Sequence, residues 1–196
     1  MTKICRKDQK DLTRKKLIDA AIKTFAEQGI TTTTTADVAK AAGVSHGTVF
    51  LHFPCRDDLV FAAIRRFGKH LCAAFKAHTK SNIKDLRGVL KAHLQVLEEF
   101  EDFYSRLVME VSLLTPRIKS YFFIVQASVS HRMFVNAEYE MQKGKIRKIK
   151  RDLLFNTWIA LVHYYLAHRD IFSPQKSVIQ EKSKALIDHF MNLVKT

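Results

Sequence analysis

Residues 36–59 read ADVAKAAGVSHGTVFLHFPCRDDL, and they contain two short helical segments separated by a turn of small residues. Gly43 can adopt the left-handed backbone conformation that ends a helix, and Ser45 can accept a backbone N–H at the start of the next helix. The sequence therefore predicts one helix that ends at about Ala42 and a second that runs to about Phe53.

A longer helix precedes this pair, and its apolar side chains fall on one face. That face carries Leu17, Ala20, Ala21, Thr24 and Phe25. Gly29 supplies a stop signal, and Thr34 with Asp37 has the spacing of a capping box that opens the next helix. Three helices in this order, with a tight turn before the third, predict a helix-turn-helix unit from about Thr13 to Arg56.

A helix-turn-helix unit places its last helix in the DNA major groove, where short side chains reach base edges and neighbouring groups hold phosphates. We expect Val49 and Phe53 to face the interior. The outward face of the third helix then carries His46, Gly47, Thr48, Phe50 and His52. This arrangement predicts sequence-specific binding to double-stranded DNA.

The chain has 196 residues and is strongly basic, with a formal net charge of +14 and a pI near 9.8. This excess favours a polyanionic partner such as nucleic acid, although an anionic membrane would also attract it. Three cysteines without CxxC spacing fit a reduced, cytoplasmic protein better than a secreted one. The longest apolar run, around Trp158 to Leu166, is too short to span a bilayer, so we expect no membrane insertion.

Few helix breakers occur, with 3 Pro and 6 Gly, and apolar residues recur at three- and four-residue spacings. We therefore expect an all-α fold. Thr115-Pro116 and Ser173-Pro174 each have the pattern of an N-cap followed by proline at the first helical position, which predicts two helix starts. Six positive charges from Lys143 to Arg151 predict a solvated basic turn; binding to nucleic acid or to an anionic surface is the alternative.

Two C-terminal helices carry more apolar surface than one core needs. In residues 152–169, Leu154, Trp158, Leu161 and Tyr165 form one row. Phe155, Ile159, Val162 and Leu166 form another. The final helix adds Ile179, Leu186, Phe190 and Val194. If one row faces the core, the other can face a second copy, which predicts a homodimer with a four-helix interface.

From about Leu17 to Leu59 the sequence resembles the TetR family of bacterial repressors without gaps. The resemblance rests on VAxxAGVS at residues 38–45, on a short third helix that ends in HF, and on Arg56 followed by two acids and Leu59. These features together are specific to that family. The rest of the chain resembles the family in being helical and of ordinary length.

The resemblance implies an N-terminal three-helix helix-turn-helix DNA-binding domain with a basic arm, residues 1–56. It also implies a C-terminal helical effector-binding and dimerisation domain, residues 57–196. The implied protein is a ligand-responsive repressor without enzymatic activity. Two-fold symmetry of its homodimer predicts a pseudo-palindromic operator.

The resemblance further implies roles for individual residues. Thr35 and Thr48 are the implied phosphate contacts, and Ser45 is the N-cap of the recognition helix. His46 is the candidate base reader. Gly47 allows the backbone to approach DNA closely.

His52 and Arg56 match positions that hold the DNA backbone in the family. Phe50 stands where Tyr is common, so packing on a sugar or a thymine methyl replaces a phosphate hydrogen bond. Ala36 replaces a long basic side chain of some members, so we expect no base contact from the second helix. Cys55 stands at a helix cap that is usually Ser or Asn, and we interpret it as a poor cap, with a redox sensor as the alternative.

The effector pocket is expected among the aromatics of the C-terminal region. Our candidates are Phe103, Met109, Phe123, Trp158 and Tyr164. Few acids lie nearby in sequence, Glu110 and Glu138 being the exceptions, so we expect an unknown small molecule that is apolar, neutral or anionic and not a multivalent cation. Nine histidines lack HxxxH spacing and do not cluster with cysteines, so neither a metal nor a cofactor is predicted.

Two other classes of protein stay open at this stage. One is a helical protein that coats nucleic acid without sequence choice, and the other is a small-molecule-binding or enzymatic helical protein with a vestigial module. The N-terminal arm also leaves two interpretations, contact with DNA or a solvated tail. Its cations are Lys3, Arg6, Lys7, Lys10, Arg14, Lys15 and Lys16.

Overall fold

A computed structural model of the chain describes residues 6–80 and 85–196. This part consists of ten α-helices and one short 3-10 helix, Val111–Leu113, so the predicted all-α class is confirmed. The α-helices are α1 (Arg6–Gln28), α2 (Thr35–Ala42), α3 (His46–His52), α4 (Arg56–Lys80), α5 (Leu86–Glu99), α6 (Glu101–Glu110), α7 (Pro116–Gln142), α8 (Arg151–Ala167), α9 (Arg169–Phe172) and α10 (Val178–Val194).

Helices α1–α3, residues 6–53, form a head around a small apolar core. Phe25, Val38, Val49 and Phe53 are all fully buried, as the helical pattern predicted. Residues four apart on α1 bring their side chains to one face, and that face packs on α2, α4 and α6. The inward position of Val49 and Phe53 leaves the opposite side of α3 open to solvent.

Local signals fix the ends of these helices as predicted. The Thr34 side chain accepts the backbone N–H of Asp37, and the Asp37 carboxylate accepts the backbone N–H of Thr34 at 2.8 Å. Gly43 ends α2 with a φ of 61°, in the left-handed region that favours glycine. Helix α2 and helix α3 are therefore joined by a turn too short to let them rearrange independently.

Helix α1 begins at Arg6, seven residues earlier than the predicted start at about Thr13. Residues 6–16 contain no glycine or proline and many good helix formers, so the helix extends into the basic arm. The arm is therefore helical and not disordered over residues 6–16, while most of its side chains at residues 7–16 are exposed to solvent; its contact with DNA stays a prediction. Lys3 lies outside the described residues.

Helix α4 contacts the head through α1 and the body, helices α5–α10, through α5 and α7. Pro116 opens α7 at its first position after Thr115, as predicted. Helix α6 packs on α1 of the head and on α8 of the body, so it also joins the two parts. In the described part of the chain, no helix is both long enough and apolar enough to cross a membrane.

The predicted helix start at Ser173-Pro174 is wrong, because α10 begins at Val178 with Ser177 as its N-cap. The carboxylate of Glu101, at the start of α6, accepts the backbone N–H of Val178 at 2.9 Å and that of Ile179 at 3.0 Å. A carboxylate is favoured at the positive end of a helix. This distant side chain, and not the local proline, fixes the first turn.

The two apolar rows predicted for α8 are also wrong in their membership. The buried residues of this helix are Leu154, Trp158, Val162 and Leu166, two from each predicted row. Helix α8 is apolar on most sides, so the periodicity of its sequence could not choose the inward face.

Two pairs of polar side chains are buried in the body. Trp158 Nε1 donates a hydrogen bond to His93 Nδ1 at 3.1 Å, and Tyr104 Oη lies 3.0 Å from His163 Nε2. Burial lowers the pKa of His163 to about 4, and burial together with the nearby His163 lowers the pKa of His93 to about 3. Burial raises the pKa of Tyr104. All these groups are therefore neutral at pH 7.

The free energy of unfolding should fall as the pH is lowered from 7 towards 4. Below pH 6.5 the unfolded chain binds protons at His93 and His163, whereas the folded chain does not until its lowered pKa values are reached. At pH 5 the expected loss is about 2 kcal/mol for each histidine. Urea unfolding at a series of pH values measures it. His163→Gln should flatten the dependence and exposed His189→Gln should not; equal slopes for both variants would contradict this prediction.

Candidate DNA-binding site

The first turn of α3 is held by its own cap. The Ser45 side chain accepts the backbone N–H of Thr48 at 3.3 Å, and the two hydroxyl oxygens lie 2.8 Å apart. Both side chains are at the solvent side of the turn, Ser45 exposed and Thr48 half-buried. The cap holds these two hydroxyls in one geometry. The sequence predicts the Ser45 hydroxyl as the helix cap and the Thr48 hydroxyl as a phosphate contact.

His46, the predicted base reader, is exposed and joins α3 to α2. Its Nε2 lies 2.9 Å from Thr35 Oγ1, and its ring meets the ring of Phe50 edge-on at 4.7 Å between centroids. The structure thus brings together three of the predicted DNA-contact residues on one small surface. Thr35 is engaged with the imidazole, so one of its functions is to orient His46.

Exposed apolar side chains continue this surface. Phe50 is 44% exposed and Leu51, which the sequence analysis did not single out, is 81% exposed. The inward register of Val49 and Phe53 could have identified Leu51, because a residue between two buried positions on a helix faces outward. Gly47 leaves room beside it, since an added Cβ would meet only Ser45 Oγ, at 4.0 Å.

His52 and Arg56 are less free than the sequence suggested. His52 is half-buried, and its Nδ1 has no hydrogen-bond partner among the described residues. Burial lowers the pKa of His52, and the nearby Lys10 and Arg14 lower it further. Arg56 Nε donates to the Thr33 carbonyl at 2.8 Å. Arg56 therefore stabilises the turn before α2 through its Nε group.

The turn between α1 and α2 is fastened to the body by Glu110, a residue that the sequence analysis considered only as an acid near a pocket. Its Oε2 accepts hydrogen bonds from the Thr31 backbone N–H and from the Thr31 hydroxyl, both at 2.7 Å. Gly29 has a φ of 95°, and an added Cβ there would lie 2.9 Å from Glu110 Oε1. Glycine is favoured here by this left-handed backbone conformation, and a side chain would also displace the Glu110 carboxylate.

A second set of contacts fastens the start of α4 to α7. The Thr115 hydroxyl donates to Asp57 at 2.6 Å, and Arg117 Nη1 donates to Asp58 at 2.8 Å. The hydrogen bond from Cys55 Sγ, followed by that from Arg117, lowers the pKa of Asp58. The reading helix is thus positioned from two sides, by α6 through the turn before α2 and by α7 through the start of α4.

The structure does not bring the five candidate pocket residues together. Trp158 and Phe103 are buried in side-chain packing, whereas Met109, Phe123 and Tyr164 are 45%, 57% and 57% exposed. The exposed three lie on outward faces of α6, α7 and α8, because residues four apart on those helices already fill the core. The prediction that these five line one cavity is wrong for this packing.

A cleft of about 810 Å³ between α1, α6 and the connection to α10 is polar, not apolar. Its carboxylates are Asp19, Glu27, Glu98, Glu99, Glu101, Asp102 and Asp170. Five of the seven have partners already. Asp19 pairs with Arg66, Glu27 with Lys23, Asp102 with Arg169, Glu99 lies 3.0 Å from His70 Nδ1, and Glu101 caps α10. We interpret the cleft as a junction of head and body. Within the described ranges, no three His, Cys, Asp or Glu side chains are placed so that they could hold one metal ion.

The fold and this site define a helix-turn-helix protein. The profile of the family described as "Bacterial regulatory proteins, tetR family" matches residues 17–63. Residues 17–63 therefore carry the helix-turn-helix segment of the TetR family of transcriptional regulators. This family is one of regulators and not of enzymes. The fold is also that of the TetR-family regulator PfmR from Thermus thermophilus, with a TM-score of 0.75 and 19% identity over 90% of this chain and 97% of that one.

Two curated relatives match less than half of the chain. The HTH-type transcriptional regulator AcrR from Shigella flexneri is 38% identical over 53 residues, 27% of this chain and 25% of that protein. The HTH-type transcriptional repressor KstR2 from Rhodococcus jostii (strain RHA1) is 34% identical over 79 residues, 40% of this chain and 38% of that protein. The matched part of the chain therefore spans less than half the length of these two relatives.

Glu110→Gln should lower the free energy of unfolding by about 1 kcal/mol, because hydrogen bonds to a carboxylate are stronger than those to a neutral amide. Urea unfolding measures the change. Glu98→Gln, on an exposed carboxylate without a hydrogen bond to the described residues, removes the same charge and should change stability by less than about 0.5 kcal/mol. Equal effects of the two variants would mean that Glu110 does not fasten the head.

Proposed function

We propose that this protein is a ligand-responsive, sequence-specific DNA-binding regulator, a repressor that binds a pseudo-palindromic operator as a homodimer. Residues 1–56 form the DNA-binding unit and residues 57–196 the effector-binding and dimerisation unit. The observation that carries the proposal is the capped α3 with His46 held ready on its exposed face. The name of KstR2 as a repressor supports repression over activation.

His46 is the base reader in this proposal, and Thr35 orients its ring. Ser45 and Thr48 contact phosphates through the hydroxyls that the cap holds, and Gly47 lets the helix approach the base edges. Phe50 and Leu51 pack on sugars or thymine methyl groups.

The backbone of the DNA is held by residues at the edge of the head. His52 contacts a phosphate through Nε2, while Arg56 turns its remaining N–H groups towards the backbone and keeps its bond to Thr33. Lys10 and Arg14, beside His52, add positive charge on the same side. Arg14 also stacks over the Phe53 ring at 4.4 Å, which holds its charge close to α3.

Dimerisation uses the outward faces of α8 and α10. Leu153 and Tyr164 on α8 are each 57% exposed, and Leu193 on α10 is 42% exposed. Partly buried side chains flank them, including Phe155 and Leu161. An exposed apolar face of this extent favours a second copy as the partner, and two-fold symmetry then places two α3 helices on one operator.

The effector is a neutral, mostly apolar molecule that binds in the body beside Tyr104 and His163. Tyr104 is buried, His163 is half-buried and both are uncharged at pH 7, so a ring with one hydrogen-bonding group can replace their mutual contact without burying a charge. Tyr104 follows Phe103 on α6, and Phe103 packs near Phe25 of α1 at 6.4 Å. A ligand that displaces Tyr104 therefore acts on the head through α6.

His46→Ala should weaken operator binding by about 1 to 3 kcal/mol, a factor of roughly 5 to 150, and leave binding to unrelated duplex unchanged. Thr35→Val, which removes the partner of the imidazole, should weaken the operator complex in the same direction by less. His131→Ala on α7 is the matched control. Fluorescence anisotropy at fixed salt measures all three. Equal losses on operator and unrelated duplex would show that His46 contacts only the backbone.

Selection of bound sequences from random duplex DNA should recover a pseudo-palindrome with half-sites about one helical turn apart. Preference for it over scrambled DNA should persist at physiological salt, which a non-specific coating protein would not show. Apolar neutral compounds that raise the melting temperature should release the operator. Stabilisation by cationic dyes alone would contradict the effector class, and recovery of no preferred sequence would contradict the regulator.

A further inference from the structure

Residues 143–151, which are the connection between α7 and α8 together with the first residue of α8, form a basic loop that the proposed function does not use. Its six cations are Lys143, Lys145, Arg147, Lys148, Lys150 and Arg151. All six are exposed. Among residues 6–80 and 85–196 none of them pairs with a carboxylate, and Arg151 instead donates to the Ser130 hydroxyl at 3.4 Å.

The basic loop is anchored through its backbone and its apolar residues. Ile146 is 4% exposed and forms an isolated antiparallel bridge with Lys195 near the end of the chain. The Arg147 backbone N–H donates to the Val194 carbonyl at 2.9 Å, and Gly144 turns the chain with a φ of 66°. With its apolar side inward, the loop has only cations to present to solvent.

The loop lies at the end of the molecule opposite to the reading helix. Helix α7 begins beside the head, where Thr115 binds Asp57, and its 27 residues extend for about 40 Å before the loop starts. The duplex that α3 reads therefore cannot also reach residues 143–151 without bending round the body. Any DNA that binds the loop must therefore be a segment other than the one that α3 holds.

Unpaired cations at this density repel one another, and phosphates relieve the repulsion with release of counterions. Nearby carboxylates offset little of this charge: Glu140 is 7% exposed and acts on Lys145 without forming an ion pair, and Glu138, which lines a cleft with Lys148 and Lys150, forms no ion pair with them. A membrane surface is disfavoured because both isoleucines of the loop face inward and leave no apolar side chain to insert.

We infer that the basic loop binds the phosphate backbone of a second DNA duplex while α3 holds the operator. Contact with phosphates alone makes this binding independent of sequence. This inference rests on the proposed function. When the protein is bound to an operator, neighbouring DNA is present at high effective concentration, which favours its contact with the basic loop. The protein would bridge two segments of DNA, and a dimer would carry two such loops.

The test uses an operator duplex fixed on beads and saturated with the full-length protein. A fluorescent duplex without operator is added at low salt, and the retained fluorescence is titrated. Lys145→Gln, Lys148→Gln and Lys150→Gln are combined in one loop variant. Lys91→Gln, Lys176→Gln and Lys182→Gln, which lower the net charge equally on other surfaces, form the control variant.

Wild type and the control variant should capture the second duplex, and the loop variant should capture it about tenfold more weakly with unchanged operator affinity. No capture by wild type, or equal losses in both variants, would overturn the inference. So would capture of single-stranded RNA or of anionic phosphatidylglycerol vesicles in place of duplex DNA.

Failure of the proposed function is a separate result. If no operator is recovered, both variants are titrated directly with unrelated duplex. A loss confined to the loop variant then supports the loop as a DNA-binding surface although the regulator has failed. No difference between the variants overturns the loop as well.

Discussion

The packing of α6 against α1 is the contact on which the rest of the molecule depends. Consecutive residues of α6 face opposite parts: Phe103 lies near Phe25 of the head, and Tyr104 binds His163 of the body. At the end of the same helix, Glu110 holds the turn that leads into α2. A rotation of α6 would therefore change the body core and the position of the head together.

The reading surface is arranged before any DNA is present. His46 is held by Thr35 from one helix and by Phe50 from its own, so in the proposed complex its ring would lose little freedom on meeting a base. This rigidity would make the orientation of the whole head, and not that of single side chains, the quantity that an effector changes in the proposed regulator.

Sequence reasoning succeeded where the cause is local. The capping box at Thr34 and the left-handed turn at Gly43 involve residues within a few positions of one another, so their patterns determine the geometry. The outward positions of His46 and Phe50 followed from the same register. The same register also predicts an outward Leu51.

Sequence reasoning failed where the cause is distant or where the helix has no polar face. The sequence could not predict which residues of α8 face the core, because nearly every side of that helix is apolar. The candidate pocket failed for a related reason, since aromatic composition does not tell which face of a helix is inward. Glu110 could not be assigned to the head because its partner Thr31 is 79 residues away.

The carboxylate of Glu101 also has a consequence for the order in which the chain folds. Its partners in the first turn of α10 are 77 and 78 positions further along the sequence. The Ser177 side chain caps Gln180 locally, but the Val178 and Ile179 N–H groups receive their acceptor only after α6 has docked. Loop closure over that distance is slow compared with helix formation. A chain still being synthesised would therefore complete the head, residues 6–53, first and the first turn of α10 last.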